Sequence, residues 1–278
     1  MKSLTHKLAI VTGASGGIGL EFCKYLAELG ADLLMISIDD QPLKAAAEII
    51  KESYGVNTYP LTLDLCAEDA IDRILSYIEN FRLPNPYILI NNAGIFSFAP
   101  VTDIPYGKVD AFIDLHVRAA TNLSITFAKY FRENNRPQKG DKSAPRGYIL
   151  NMSSMSCWMP MPGIAMYAAT KAYIRVFSRA LHYEMRDENV KVMVACPGGI
   201  ATDLFGLPDN LKKLALNLGA IARPEVFARK AINKMLRGKM QYINGITNRL
   251  AIFFVAILPT GLRMQIKHRM LDCNIRKP

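Results

Sequence analysis

Leu8-Ala9-Ile10-Val11-Thr12 is a short, β-branched apolar run, and Gly13-Ala14-Ser15-Gly16-Gly17-Ile18-Gly19 follows it without a gap. An amphipathic stretch from Leu20 to Leu29 comes next, with Phe22, Leu26 and Leu29 on one side and Gly30 as its stop. Few architectures accept that order. An unbroken apolar run of this length predicts a parallel strand buried on both faces. The glycines let the backbone turn tightly and approach a ligand. The helix opening from the turn offers free N–H groups and a positive dipole end. Strand, glycine turn and helix together predict the first unit of a fold that holds a pyrophosphate.

The rest of the chain repeats the alternation. Strands are predicted at 33–37, 56–63, 87–90, 148–152 and 190–195, with helices at 43–53, 68–81, 109–131 and 166–186 between them. Six apolar strands alternating with helices predict an α/β fold, a doubly wound parallel sheet with helices on both faces. Ligands of such sheets bind outside the C-terminal strand ends. Gly13, Asp64, Asn91, Ser154 and Pro197 all fall at such ends, so they converge in space. Residues 132–147 form a polar loop, long for its position. A helix over 224–239 and a strand within 241–247 complete the body.

Tyr167 and Lys171 stand four apart on the helix that rises from the same edge, which places them on one face. A phenol beside an ammonium is an acid–base pair. The cation favours phenolate and is expected to draw the Tyr167 pKa from about 10 toward neutrality. Such a tyrosine can exchange a proton with a substrate oxygen. The second strand ends in Ser37-Ile38-Asp39-Asp40, with no base before Lys44. An acid at that point suits the ribose 2′-OH of NAD, whereas a 2′-phosphate needs a base, so the cofactor NAD(P)(H) leans to NAD(H).

Taken together, Thr12-Gly13-Ala14-Ser15-Gly16-Gly17-Ile18-Gly19, Asp64-Leu65, Asn91-Asn92-Ala93-Gly94, Asn151-Met152-Ser153-Ser154, Tyr167-Ala168-Ala169-Thr170-Lys171 and Pro197-Gly198-Gly199-Ile200-Ala201-Thr202 resemble the short-chain dehydrogenase/reductase family over roughly residues 7–240. The branch it looks most like includes the acyl-chain and steroid ketoreductases. The resemblance implies a Rossmann-type fold and hydride transfer between nicotinamide and a carbonyl or secondary alcohol. It implies that Gly13, Ser15, Gly17, Ile18 and Gly19 cradle the pyrophosphate, and that Ser37 and Asp39 meet the adenosine ribose. Asp64 and Leu65 would hold the adenine, with Asn92, Ala93 and Gly94 beside its ribose. Pro197, Gly198, Ile200 and Thr202 would set the nicotinamide face. Ser154, at the family's spacing before Tyr167, would polarise the carbonyl. Tyr167 would pass the proton, and Lys171 would lower its pKa and hold the nicotinamide ribose.

One position departs. His116-Val117-Arg118-Ala119 stands where the family usually has Asn-Val-x-Gly or Asn-Val-x-Ala. His116 is therefore read either as a substitute that holds the same water or shuttles protons near neutral pH, or as a packed ring with no role. That departure also motivates an alternative function, a dinucleotide-binding regulator or scaffold without turnover. Intact Ser154, Tyr167 and Lys171 favour the enzyme.

The chain carries a net charge of +10, unevenly placed. Residues 211–278 hold +12 and the remainder −2, so the body is nearly neutral and the C-terminal quarter basic. Nucleic acid is not expected, because the basic stretch is apolar and holds no recognisable module. The five cysteines are scattered, with neither a CxxC pair nor metal-ligand spacing, so no metal and no disulfide framework is expected. The leader before Leu8 shows no secretory pattern, and the expected location is cytoplasmic, with a peripheral place at the inner face of a membrane as the extension of that reading.

Residues 1–247 are read as one dinucleotide-binding oxidoreductase domain. An apolar substrate lid at about 202–222 suits a lipophilic substrate of steroid, fatty acyl or long-chain base type. Residues 248–278 are read as an amphipathic helical extension. Leu250 to Leu258 are nine apolar residues in a row, too few to span a bilayer. Two readings of this run stand open: a helix packed on the body or on a second subunit, as in a homodimer or homotetramer, and a monotopic membrane contact with basic residues on anionic headgroups. Apolar runs of this length are usually buried, which favours the first.

Overall fold

The computed structural model describes residues 4–135, 144–201 and 221–268. Its centre is a seven-stranded sheet in the order β3-β2-β1-β4-β5-β6-β7, every pair parallel. The strands are β1 (Leu8–Thr12), β2 (Asp32–Ser37), β3 (Thr58–Thr62), β4 (Pro86–Asn91), β5 (Gly147–Met152), β6 (Val190–Ala195) and β7 (Gln241–Tyr242). Strand order reverses between β1 and β4, which opens a crevice at their C-terminal ends.

Both faces of the sheet are covered, and the strand residues alternate between them. Ala9, Val11, Leu33, Met35, Ile88, Ile90 and Leu150 join one apolar core with α1 (Gly17–Glu28) and α2 (Asp40–Tyr54). Leu8, Ile10, Leu34, Ile36, Leu89 and Ile149 join the other with α3 (Ala70–Asn80) and α5 (Ala120–Asn134). This period of two, apolar at every step, is why the central strands read as solid hydrophobic runs. β3 is an edge strand, half-buried throughout, and it tolerates Pro60 because only one side of it is paired.

Two expected elements differ. The single helix expected over 109–131 is α4 (Tyr106–Ile113) joined to α5 through a π-helical turn, Asp114–Ala119. The strand expected within 241–247 is only the two residues of β7. The helix bearing Tyr167 is α6 (Ala165–Glu184), and α7 (Pro224–Leu236) ends before Gly238, which takes φ +69°. Two short helices follow, α8 (Ile246–Ala256) and α9 (Thr260–Lys267). Thr202 and the lid up to residue 220 lie outside the described residues. The ends flanking that segment are pinned together by a parallel bridge between Ile200 and Ala222.

Candidate active site

A cavity of about 620 Å³ runs along the crevice. Gly13, Ser15, Gly17, Ile18, Ser37, Asp39, Asp64 and Leu65 line one end. Asn92 and Ala93 line it against Gly13, and Gly94, Ser154, Tyr167, Lys171, Pro197, Gly198 and Ile200 line the other end. Of the site residues expected from the sequence, Gly19 and His116 stand behind its wall, and Thr202 falls outside the described residues.

The glycine turn is shaped by contact as well as by conformation. Gly13 takes φ +64°, and a side chain at Gly19 would collide with the Gly13 carbonyl and the Asn92 amide. Gly19 thus lets α1 seat against the turn without touching the cavity. The Asn92 amide is likewise turned inward, donating to Thr12 O at 3.0 Å and Gly13 O at 3.2 Å. Thr12 Oγ1 accepts from the backbone N–H of Asn92 (2.9 Å) and of Ala93 (3.0 Å), tying the ends of β1 and β4 together. Ser15 and Ser37 share a hydroxyl–hydroxyl bond of 2.9 Å across the adenosine end.

At the other end α6 is bolted to β5. Lys171 Nζ donates to Met152 O at 3.0 Å, and Ser153 Oγ donates to Lys171 O at 2.7 Å. Deeper, the amide of Asn151 donates to Ser178 Oγ at 2.9 Å. Ser154 caps the 3₁₀ turn Met155–Trp158, its Oγ accepting from Ser156 N at 3.2 Å. The Tyr167 ring is walled edge-on by Phe96 (5.1 Å between centroids) and His116 (5.9 Å).

The electrostatics correct one expectation. Burial pushes the Tyr167 phenol up to about 12, against the smaller downward pull of the Ser154 hydroxyl. Burial brings Lys171 down to about 8. The ammonium lies 5.7 Å from the Tyr167 ring centroid and is aimed at a carbonyl, so it does not draw the phenol toward neutrality. Tyr167 is a protonated phenol at neutral pH.

His116 is corrected too. Its Nε2 accepts from Ile95 N–H at 3.0 Å, which leaves the proton on Nδ1, 3.0 Å from Thr170 Oγ1. Thr170 is free to accept, because its own hydroxyl donates to the carbonyls of Met166 and Tyr167. Burial first, and the Lys171 charge second, press the imidazole down to about 2. With both nitrogens bonded and the cation excluded, His116 is a neutral clamp between the β4 loop, the π turn and α6. It does not carry protons near neutral pH.

Sequence reasoning gave no role to Thr12 or Thr170. Thr12 and Thr170 sit inside the quoted motifs, and their signal was position: a hydroxyl at a strand end and one beside the lysine.

A parallel sheet with a glycine turn at its switch point and Ser, Tyr and Lys across the crevice defines a dinucleotide-binding oxidoreductase. The short chain dehydrogenase family model matches residues 7–209, and the chain belongs to that family. It is an NAD(P)-dependent oxidoreductase. It is 31% identical over 260 residues to the very-long-chain 3-oxoacyl-CoA reductase of Anas platyrhynchos, covering 93% of this chain and 78% of that one. Among solved structures it is similar to a 7beta-hydroxysteroid dehydrogenase (TM-score 0.79, 24% identity, 94% and 96% of the two chains). It is also similar to a short-chain dehydrogenase from Sphingobium yanoikuyae in complex with NADPH (TM-score 0.74, 22% identity, 94% of each chain).

Proposed function

We propose that this chain reduces the keto group of a lipophilic substrate, of fatty acyl, steroid or long-chain base type, with Tyr167 as proton donor. The observation that carries the reading is the single cavity with the glycine turn at one end and Ser154, Tyr167 and Lys171 at the other. A nicotinamide dinucleotide, when bound there, supplies the hydride. Its pyrophosphate suits the turn at Gly13 and Gly17, both at positive φ, a conformation that side chains disfavour. Asp39 at the ribose end favours NAD(H), since a carboxylate repels a 2′-phosphate.

Ser154 and Tyr167 direct two hydroxyls at one substrate oxygen. A phenol that stays protonated donates rather than accepts, which favours the reductive direction. Lys171 supports the β5–α6 junction and adds positive charge beside the developing alkoxide. His116 acts as a positioning residue. The very-long-chain acyl substrate in the name of the Anas relative supports an apolar substrate. An apolar substrate partitions into lipid, so the reading extends to a peripheral membrane protein. Among the described residues no helix is long and apolar enough to cross a bilayer. Exposed Ile125 on α5, with Tyr173 and Val176 on α6, supports self-association as a homodimer or homotetramer.

The experiment is a titration with NADH and NADPH followed by a panel of lipophilic ketones with the tighter cofactor. Cofactor oxidation by acyl or steroid ketones is expected. Tight binding without oxidation of any ketone would instead favour a regulator without turnover.

A further inference from the structure

We propose that the outer face of α8 and α9 is a docking surface for an anionic lipid leaflet, seating the substrate mouth at the headgroup level. This rests on the lipophilic-ketone reading and adds the partner from which such a substrate is drawn.

Ile246, Leu250, Phe253, Phe254 and Ile257 are each between 53% and 75% exposed. They recur at steps of four, three, one and three, which is one face of a helix. Leu262 and Met264 on α9 are also exposed, on different sides of that short helix. Single exposed apolar residues are ordinary, but a continuous face of them marks an interaction. Arg263 fixes the corner between the helices, donating to Leu258 O and Val255 O at 3.1 Å each.

The inner side of α8 belongs to the active site. It packs on the Met155–Trp158 turn that follows Ser154. Asn248 fills the space over Gly198, where a Cβ would strike its side chain. Its amide donates to Asn244 O at 2.7 Å, and Asn244 Oδ1 accepts from Gly198 N at 2.8 Å. One helix diameter, about 10 Å, therefore separates the apolar face from the cavity wall at Ser154 and Gly198.

Charge decides what covers the face. Residues 246–271, which carry this face, contain four Lys or Arg and no Asp or Glu. Arg249 is exposed at the border of the same face, one turn from Phe253. Two copies paired through this face would bring like charges together across a two-fold axis. Anionic headgroups complement those charges while the acyl boundary takes the apolar side chains. At 11 residues α8 lies in the interface and does not span it.

The test compares the full chain with a Phe253→Glu/Phe254→Glu variant in sedimentation with phosphatidylcholine vesicles, with and without phosphatidylserine. A short water-soluble ketone is assayed in parallel. The unaltered chain is expected to bind the anionic vesicles, less so at high salt, and the double variant to lose at least about tenfold in partitioning. Turnover of the soluble ketone should stay within about twofold, which also shows that the variant folds. Arg249→Glu should weaken binding to anionic vesicles only. Equal vesicle binding by all variants, or none by the unaltered chain, overturns the proposal. So does a double variant whose only change is a smaller oligomer, since a second copy then covers the face. Vesicle binding lost as expected while neither protein turns over ketone upholds docking and strikes the hydride-transfer reading.

Discussion

Phe227 on α7 and Phe254 on α8 are the same residue on successive helices, and they live in different solvents. Phe227 is 1% exposed, edge-on to Phe22 at 6.4 Å and tilted against Tyr242 at 5.5 Å. Phe254 is 60% exposed, with Phe253 as its ring neighbour at 5.9 Å. α7 closes one face of the sheet, so its apolar side chains stabilise the fold. α8 seals the active-site turn with one side and leaves the other uncovered. The comparison teaches that apolar content in this chain serves two ends: the body uses it to fold, and the C-terminal helices present it.

The widest separation between the regions is expected in turnover. Tyr167→Phe removes the hydroxyl that passes the proton and leaves that of Ser154 in place, and should lower ketone reduction by about 10²–10⁴-fold with cofactor affinity little changed. Phe254→Ala should leave reduction of a soluble ketone within about twofold. Steady-state rates for both variants check this. A Tyr167→Phe enzyme with near-normal rate would remove Tyr167 from the proton path and erase the chemical half of the comparison.

Stability should separate them next. Phe227→Ala opens a void in the core and should cost about 3–5 kcal/mol. Phe254→Ala removes a ring already in water and should stay within about 0.5 kcal/mol. Urea melts of both variants in the absence of lipid decide it. Similar losses would mean that the α8 face is covered in solution.

The sequence told these regions apart only partly, and the reason is physical. β1 and the glycine turn were legible because strand, turn and helix are contiguous and each has a local signature. The convergence of Ser154, Tyr167 and Lys171 was legible because a parallel sheet gathers its strand ends. Phe227 and Phe254 both sit in apolar helical runs, and nothing local says which run finds a partner. The π turn was equally hidden. Its His116 reaches Ile95 and Thr170, residues 21 and 54 positions away, and such closure is a tertiary fact. The Tyr167 phenol was misjudged because spacing gives the neighbouring charge but not the depth of burial, and burial dominates here.

His116 offers the smallest and most diagnostic effect, because it belongs wholly to the body. Its folded pKa is pressed from 6.5 to about 2, so in the window between them the unfolded chain binds a proton that the folded chain refuses. Stability from this group is complete above pH 6.5 and is lost as pH falls below it, by about 1.4 kcal/mol per pH unit. Between pH 7 and pH 5 the loss should approach about 2 kcal/mol. His116→Asn removes the titration, so its stability should fall less steeply over that range, even though it starts lower for want of an acceptor at Ile95 N–H. Residues shared by both proteins contribute equally and cancel in the difference. Parallel acid limbs would show that the folded chain takes up the proton on Nε2 at little cost, giving up the bond from Ile95 N–H, and the neutral clamp would have to be abandoned for the proton carrier that the sequence suggested.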